Sequence, residues 1–216
     1  MGLAMAMPGT AEAPFSQRES KDPFWAPATV IGLAGFGTTT MLAGVAIASN
    51  GANWGVDNGV VFPMALAFGG TAQLIAGLIM LRRGEIFPGS AFVGYGAFWW
   101  AFTIFLSGLL GTGFAGGPTA SYDIMWFMIV WFLWTLSFLI NANKHGWGIF
   151  MVFLLLDLAF LLLAIDFGII GGGHTVSNGL WEATGIVTFI TGFLAWYVAT
   201  GVLTAAHHDG RKVLPF

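Results

Sequence analysis

Side chains that could do chemistry are scarce in this 216-residue chain, and most lie outside its apolar stretches. There is no cysteine, and the four histidines all fall in polar separators or in the C-terminal tail. A retinal protein needs a lysine within a span, and a haem b cytochrome needs histidines within its spans, so both classes are excluded. Missing thiols also exclude disulfides and cysteine nucleophiles. No His-Glu-x-x-His or Gly-x-Ser-x-Gly motif occurs, so we expect no catalytic residue, no metal and no cofactor.

One layer of side chains within the apolar stretches is a candidate for a functional site. Phe36, Tyr95 and Leu156 each lie about two helical turns inside the same predicted boundary. Gln73 lies nine positions before Arg82, which corresponds to ~13 Å along a helix. Spacing alone favours core packing, because Phe and Leu are abundant throughout the chain, and a constriction in a pore is the alternative.

Apolar composition predicts the elements that must hold this layer. Hydrophobic residues make up 57% of the chain and charged residues 8%, whereas about 25% of a soluble domain is charged. Six apolar stretches are each long enough to cross a bilayer as a helix: 28–49, 59–81, 88–110, 122–142, 147–168 and 180–205. They are continuously apolar and do not alternate, which excludes a closed barrel. We therefore predict an all-α integral membrane protein, a six-helix bundle in the lipid bilayer.

The positions of the basic residues predict the orientation of this bundle. With six spans, all seven Lys and Arg residues fall on the side shared by both tails, and the positive-inside rule places both termini in the cytoplasm. We expect a polar tail at 1–25, a transport domain at 26–206 and a second tail at 207–216. No basic run could follow a phosphate backbone, so nucleic acid is excluded as a partner. The predicted location is the cell membrane, with several passes.

Small residues recur at helical spacing on several spans. The pairs are Gly70 with Gly77, Ser90 with Gly94, and Gly185 with Gly192. Missing side chains let helices approach closely, either within one protomer or between protomers. Packing within the protomer is favoured, and faces between protomers of an oligomer are the alternative.

Asp157 lies near the middle of the fifth span, next to Leu156 in the chain. An ionised carboxylate at this depth costs several kcal/mol, about 2.5–3.5 on insertion scales, so it must be shielded or protonated. A helical rotation of ~100° separates it from Leu156, which favours a structural hydrogen bond to a neighbouring helix. A proton-linked site is the alternative.

Several segments resemble the acetate uptake transporters, the family that includes the bacterial succinate–acetate permeases. The matching segments are Gly32-Leu33-Ala34-Gly35-Phe36-Gly37-Thr38-Thr39, Gly69-Gly70-Thr71-Ala72-Gln73, Ala91-Phe92-Val93-Gly94-Tyr95-Gly96-Ala97-Phe98-Trp99, Leu161-Leu162-Leu163-Ala164-Ile165 and Gly210-Arg211-Lys212-Val213-Leu214-Pro215. The first-span signature of the family normally begins Asn-Pro-x-Pro, and this start is absent here, where the chain reads Ala26-Pro27-Ala28-Thr29-Val30. A substrate role of that asparagine therefore does not carry over.

The resemblance implies a six-helix protomer with its own central pore, and a homohexamer. It assigns Phe36, Tyr95 and Leu156 to a narrow apolar gate, which reverses the preference for core packing. A carboxylate leaving water at such a gate needs hydrogen-bond donors beside it. The expected substrate-binding donors are Gln73, Tyr95 and the hydroxyls of Thr38, Thr39 and Thr40.

The predicted function is transport of acetate, with succinate and other short carboxylates as further candidates and with proton coupling left open. A channel for small neutral solutes, such as urea, amides or ammonia, is the alternative. A non-transporting accessory subunit is a third hypothesis, but the nearly charge-free outer loops offer no obvious docking surface.

Overall fold

A computed structural model describes residues 26–108, 117–211 and 213–215. Within these residues the chain forms six membrane-length helices: α1 (Thr29–Ala52), α2 (Asn58–Arg82), α3 (Ile86–Ser107), α4 (Gly117–Ala142), α5 (Trp147–Gly171) and α6 (Asn178–His207). Six spans were predicted, and this number is confirmed. The last two positions of the predicted third span, and the tail at 1–25, lie outside the described residues.

The first helix is longer than its sequence pattern predicts. We predicted that the first span ends at residue 49, but α1 continues through Ala52 and ends where Asn53 adopts a left-handed backbone, with φ 52°. Asparagine tolerates this conformation, and its N–H donates to the Ser49 carbonyl at 2.8 Å. Ser49, Asn50 and Gly51, which are residue types common in turns, therefore lie in the last turn of a helix.

The second helix contains a π-helical stretch, Ala65–Ala72, which ends directly before Gln73. Pro63 lies just ahead of it and has no N–H for the helical ladder. Within the stretch the Thr71 hydroxyl donates to the Leu66 carbonyl at 2.7 Å, five residues back. Wider helical turns of this kind change the direction in which the following side chains point from the helix axis, and the next side chain is that of Gln73.

Glycines bring α1 and α6 into close backbone contact. A Cβ on Gly37 would lie 2.7 Å from the Gly192 carbonyl oxygen, and a Cβ on Gly192 would lie 2.5 Å from that of Gly37. A Cβ on Gly185 would lie 2.3 Å from the backbone nitrogen of Ala48. Only a hydrogen side chain fits at such contacts.

Three other predicted glycines, Gly70, Gly77 and Gly94, also pack inside the protomer. Gly70 lies against Trp100 and Gly77 against Val93, both on α3, while Gly94 lies against Trp134 on α4. Neighbouring helices of the same chain therefore occupy the space beside these glycines, which favours packing within the protomer over faces between protomers.

The bundle turns apolar side chains outward as well as inward. On α4, for example, Trp126 is 61% exposed and Ile140 69% exposed. The interior is a continuous aromatic core centred on Tyr95, Phe98 and Phe153. A soluble protein rarely exposes so much contiguous apolar surface, and a lipid-facing surface accounts for it.

Candidate functional site

Two cavities lie in series along the interior of the bundle. The larger, of about 260 Å³, has Glu85, Phe87 and His145 in its lining and therefore reaches the loops between α2 and α3 and between α4 and α5. We call this the basic end, because these loops carry Arg82, Arg83 and Lys144. The smaller cavity, of about 50 Å³, is lined by residues such as Asn58 and Thr188, which lie toward the other end.

The three residues of the predicted gate lie between these cavities. Among the described residues, the side chains that line both cavities are those of Phe36, Tyr95 and Leu156. They come from α1, α3 and α5, and each is at most 5% exposed. The Phe36 and Tyr95 rings lie 5.5 Å apart between centroids, tilted by 52°. Two aromatic rings and a leucine thus form the partition between the two spaces.

Gln73 has the properties expected of a donor to a solute. Its side chain lines the larger cavity and is fully buried. Neither its amide nitrogen nor its amide oxygen has a hydrogen-bond partner among the described residues. An unpaired buried amide costs free energy, which a solute or water in the cavity would recover.

The three predicted threonine donors differ from one another in the structure. Thr40 lines the smaller cavity, but its hydroxyl donates to the Phe36 carbonyl at 2.7 Å. Thr38 donates to the Ala34 carbonyl at 2.8 Å, and it lines neither cavity. Thr39 is fully buried against Gly69, and its hydroxyl has no hydrogen-bond partner in the described part of the chain. It also lines neither cavity.

The Tyr95 hydroxyl is hydrogen-bonded inside the protein and is not free to donate to a solute. The phenol oxygen lies 2.8 Å from the Thr135 hydroxyl oxygen, and that hydroxyl donates to the Trp131 carbonyl at 2.8 Å. A hydroxyl has one proton, so Thr135 must accept and Tyr95 must donate between them. The Tyr95 proton is therefore already engaged, while its ring faces the cavities.

Trp99 is a donor that the sequence reasoning did not single out. Its indole N–H has no partner among the described residues, and its side chain lines the smaller cavity while being only 4% exposed. Its place in the Phe98-Trp99 pair beside Tyr95 was visible in the sequence, but nothing there distinguished it from nine other tryptophans. Only the geometry shows an unpaired donor on the far side of the partition from Gln73.

The mouth of the larger cavity combines an aromatic stack with charged groups. The Phe87 and His145 rings stack with centroids 3.9 Å apart, and Arg83 donates to the Glu85 carboxylate at 2.9 Å. Burial, helped by the charge of Lys144, lowers the pKa of His145 below its ordinary 6.5. The imidazole is therefore neutral at pH 7, which leaves the mouth without a cation at this position.

A membrane bundle with cavities on both sides of a buried apolar partition is the architecture of a transport protein. Residues 8–209 match the GPR1/FUN34/yaaH family, and the chain belongs to this family. It is a multi-pass membrane protein and not an enzyme, and the resemblance to the acetate uptake transporters is confirmed.

Individual relatives agree with this assignment along most of the chain. The succinate-acetate/proton symporter SatP of Escherichia coli K12 is 31% identical over 185 residues, covering 86% of this chain and 92% of SatP. The ammonia transport outward protein 2 of Saccharomyces cerevisiae is 28% identical over 213 residues, covering 97% of this chain and 70% of the yeast protein. A solved structure of the bacterial acetate channel SatP matches with a TM-score of 0.76 at 30% identity, covering 89% of this chain and 99% of that one.

Proposed function

We propose that this protein transports acetate across the cell membrane through the partition formed by Phe36, Tyr95 and Leu156. The observation that carries the proposal is that these three buried side chains line both cavities, so a solute passing from one to the other must cross between them. The names of the relatives, a succinate-acetate/proton symporter and an acetate channel, support acetate as the solute.

The chemistry of the path suits a small carboxylate with a methyl group. The apolar partition accepts the methyl end, and the positive edges of aromatic rings tolerate the anionic end. Gln73 on one side and Trp99 on the other supply unpaired N–H donors for the carboxylate before and after the crossing. Two neutral donors bind weakly enough to release the anion as well as take it up.

Finer features of the function are part of the same proposal. We propose that transport is coupled to protons and extends to succinate, as the name of SatP supports. We also propose a homohexamer with a pore in each protomer and with both termini in the cytoplasm. The orientation is supported by basic residues of the two loops at one end of the bundle, where Arg83 and Lys144 border one groove.

Uptake of labelled acetate into proteoliposomes tests the function directly. We expect flux above that of protein-free vesicles at equal pH on both sides, and a larger flux when the outside is made more acidic. The Leu156→Trp variant, which fills the partition, should return the flux to the level of protein-free vesicles. Acetate flux at that level for the purified unmodified protein would refute the proposal.

Ammonia is a second candidate solute, favoured by the name of the yeast relative. Within the described spans, no lysine, arginine or histidine lines either cavity. Apart from Tyr95, the titratable side chains that line the path are Glu85 and His145 at its mouth. Counterflow assays separate the two solutes. Proteoliposomes are loaded with unlabelled acetate or with unlabelled ammonium, and uptake of labelled acetate and of labelled methylammonium is measured for each load. If ammonium inside the vesicles drives uptake and acetate does not, the substrate is ammonia and not acetate.

A further inference from the structure

Asp157 is a buried carboxylate without a partner. It is 5% exposed on α5, and neither of its oxygens has a hydrogen-bond partner among the described residues. The structural hydrogen bond that the sequence favoured is therefore not found among the described residues. A carboxyl group retained in this environment must be neutralised, and a proton is the smallest ligand that does so.

Asp166, on the same helix, differs from Asp157 because one of its two oxygens has a hydrogen-bond partner among the described residues, whereas its other oxygen has none. It is fully buried, and one of its oxygens accepts a hydrogen bond from the Thr184 hydroxyl at 2.8 Å. It lies nine residues beyond Asp157, or ~13 Å along the helix. Neither carboxyl group lines a cavity, but the chain neighbour of Asp157, Leu156, lines both. The two aspartates share a helix and burial, but only Asp157 is next to the partition.

Asp157 is connected to the partition in two ways. Its chain neighbour Leu156 lines both cavities, and its carboxylate interacts electrostatically with the Tyr95 hydroxyl. That hydroxyl donates to Thr135, so Tyr95 offers no proton to neutralise the carboxylate in this arrangement. A negative charge on Asp157 would therefore act on an anion at the partition with nothing between them to cancel it.

The surrounding helices hold few other groups that could compete for this role. The titratable side chains on α3, α4 and α6 are Tyr95, Tyr122, Asp123, Glu182, Tyr197 and His207. Tyr122 contacts Gly171 at the far end of α5, about fourteen residues from Asp157, and Glu182 lies two residues from the Thr184 that bonds Asp166. Tyr95, by contrast, interacts electrostatically with Asp157.

We propose that Asp157 binds a proton and is coupled to the carboxylate at the partition. When Asp157 is protonated, the anion crosses between Phe36, Tyr95 and Leu156; when Asp157 is ionised, its charge opposes the anion. Because coupling between two sites is reciprocal, an anion at the partition also favours the proton on Asp157. This inference rests on the proposed function and names the group that links acetate transport to protons.

The test measures acetate flux into proteoliposomes from mildly acidic to mildly alkaline pH, with equal pH inside and outside. The acetate anion concentration is held constant, and the flux of protein-free vesicles is subtracted at each pH because acetic acid crosses bilayers unaided. The unmodified protein should lose flux with rising pH by at least about fivefold, the lower limit of ordinary coupling between sites. Asp157→Asn should remove this dependence and keep the flux at its acidic level.

Matched variants make the outcome specific. Asp166→Asn changes the other buried aspartate of α5 and should keep the pH dependence of the unmodified protein. Asp157→Thr, a neutral and smaller side chain, should be as insensitive to pH as Asp157→Asn. An unchanged pH profile in Asp157→Asn, or equal flattening in Asp166→Asn, overturns the inference. Restoration of flux by sodium at alkaline pH in the unmodified protein also overturns it, in favour of a metal cation.

A second measurement does not need the Asp157 variants to fold. In the Asp166→Asn protein, infrared absorption of protonated carboxyl groups should increase when carbon-13-labelled acetate is added at mildly alkaline pH, since the label separates the substrate band. No increase overturns the coupling. Absence of acetate flux at every pH refutes the proposed function itself, whereas normal flux with an unaltered Asp157→Asn profile refutes only the role of Asp157.

Discussion

Gln73→Leu should lower acetate flux and at the same time stabilise the protein. The substitution keeps the volume of the side chain in the larger cavity but removes both amide groups. A hydrogen bond to a charged group contributes about 1.5–3 kcal/mol. Because 1.4 kcal/mol corresponds to a factor of ten, we expect flux at sub-saturating acetate to fall by about tenfold or more.

The expected gain in stability follows from the unsatisfied amide of Gln73, which the leucine of the variant lacks. Gln73 is fully buried, and its nitrogen and oxygen lack partners among the described residues. An unpaired buried polar group costs about 1–3 kcal/mol, and a leucine of similar size carries no such penalty. Since water in the cavity recovers part of this penalty, we expect the free energy of unfolding to rise by about 1 kcal/mol.

Thr39→Val is the matched control for this pair of effects. Thr39 is also fully buried with an unpartnered hydroxyl, but it lines neither cavity. Thermal unfolding in detergent, followed by tryptophan fluorescence, should show both variants to be stabilised. Only Gln73→Leu should lose flux in proteoliposomes. A Gln73→Leu protein that transports acetate normally, or that loses flux no more than Thr39→Val, would refute the donor role.

Three further predictions concern the partition, the helix packing and the mouth. Leu156→Ala should raise butyrate flux relative to acetate flux in proteoliposomes, and should reduce the free energy of unfolding by about 2–5 kcal/mol. Gly192→Ala places a Cβ 2.5 Å from the Gly37 carbonyl oxygen and should reduce the free energy of unfolding by about 1–3 kcal/mol. Gly179 has open space around it, so Gly179→Ala should leave the free energy of unfolding unchanged. In a histidine-selective NMR titration, the signal lost in His145→Gln should titrate below pH 6.5, because burial disfavours the imidazolium.

The helical framework could be predicted from sequence because it depends on one-dimensional properties. Continuous apolar runs of bilayer length predict spans, and basic residues mark one end of them. Helix ends were less predictable, since the residues that end a helix in a turn also occur inside one. Ser49 is an example, because it lies in the last turn of α1 and its carbonyl accepts from Asn53.

Which helices share a small-residue contact could not be predicted from the same information. Gly185 and Gly192 mark a close approach of α6 to some helix, and the sequence does not say whether that helix belongs to the same chain. The structure assigns the contact to α1 of the same protomer, at Gly37 and Ala48. The glycine residues indicate that another helix approaches closely, but only the tertiary structure shows which helix it is.

Hydrogen bonds inside the protein explain how a path lined by several hydroxyl-bearing residues can bind an anion only weakly. Thr40 and Tyr95 line the cavities, but their hydroxyl protons are engaged by the Phe36 carbonyl and by Thr135. If these protons were free, several donors would converge on the partition and hold an anion tightly, which would slow its release. The hydroxyls instead leave Gln73 and Trp99, one on each side, as the buried unpaired donors among the described cavity-lining residues. Under the proposed function, a carboxylate exchanges one neutral donor for another across an apolar partition, an arrangement that favours passage over capture.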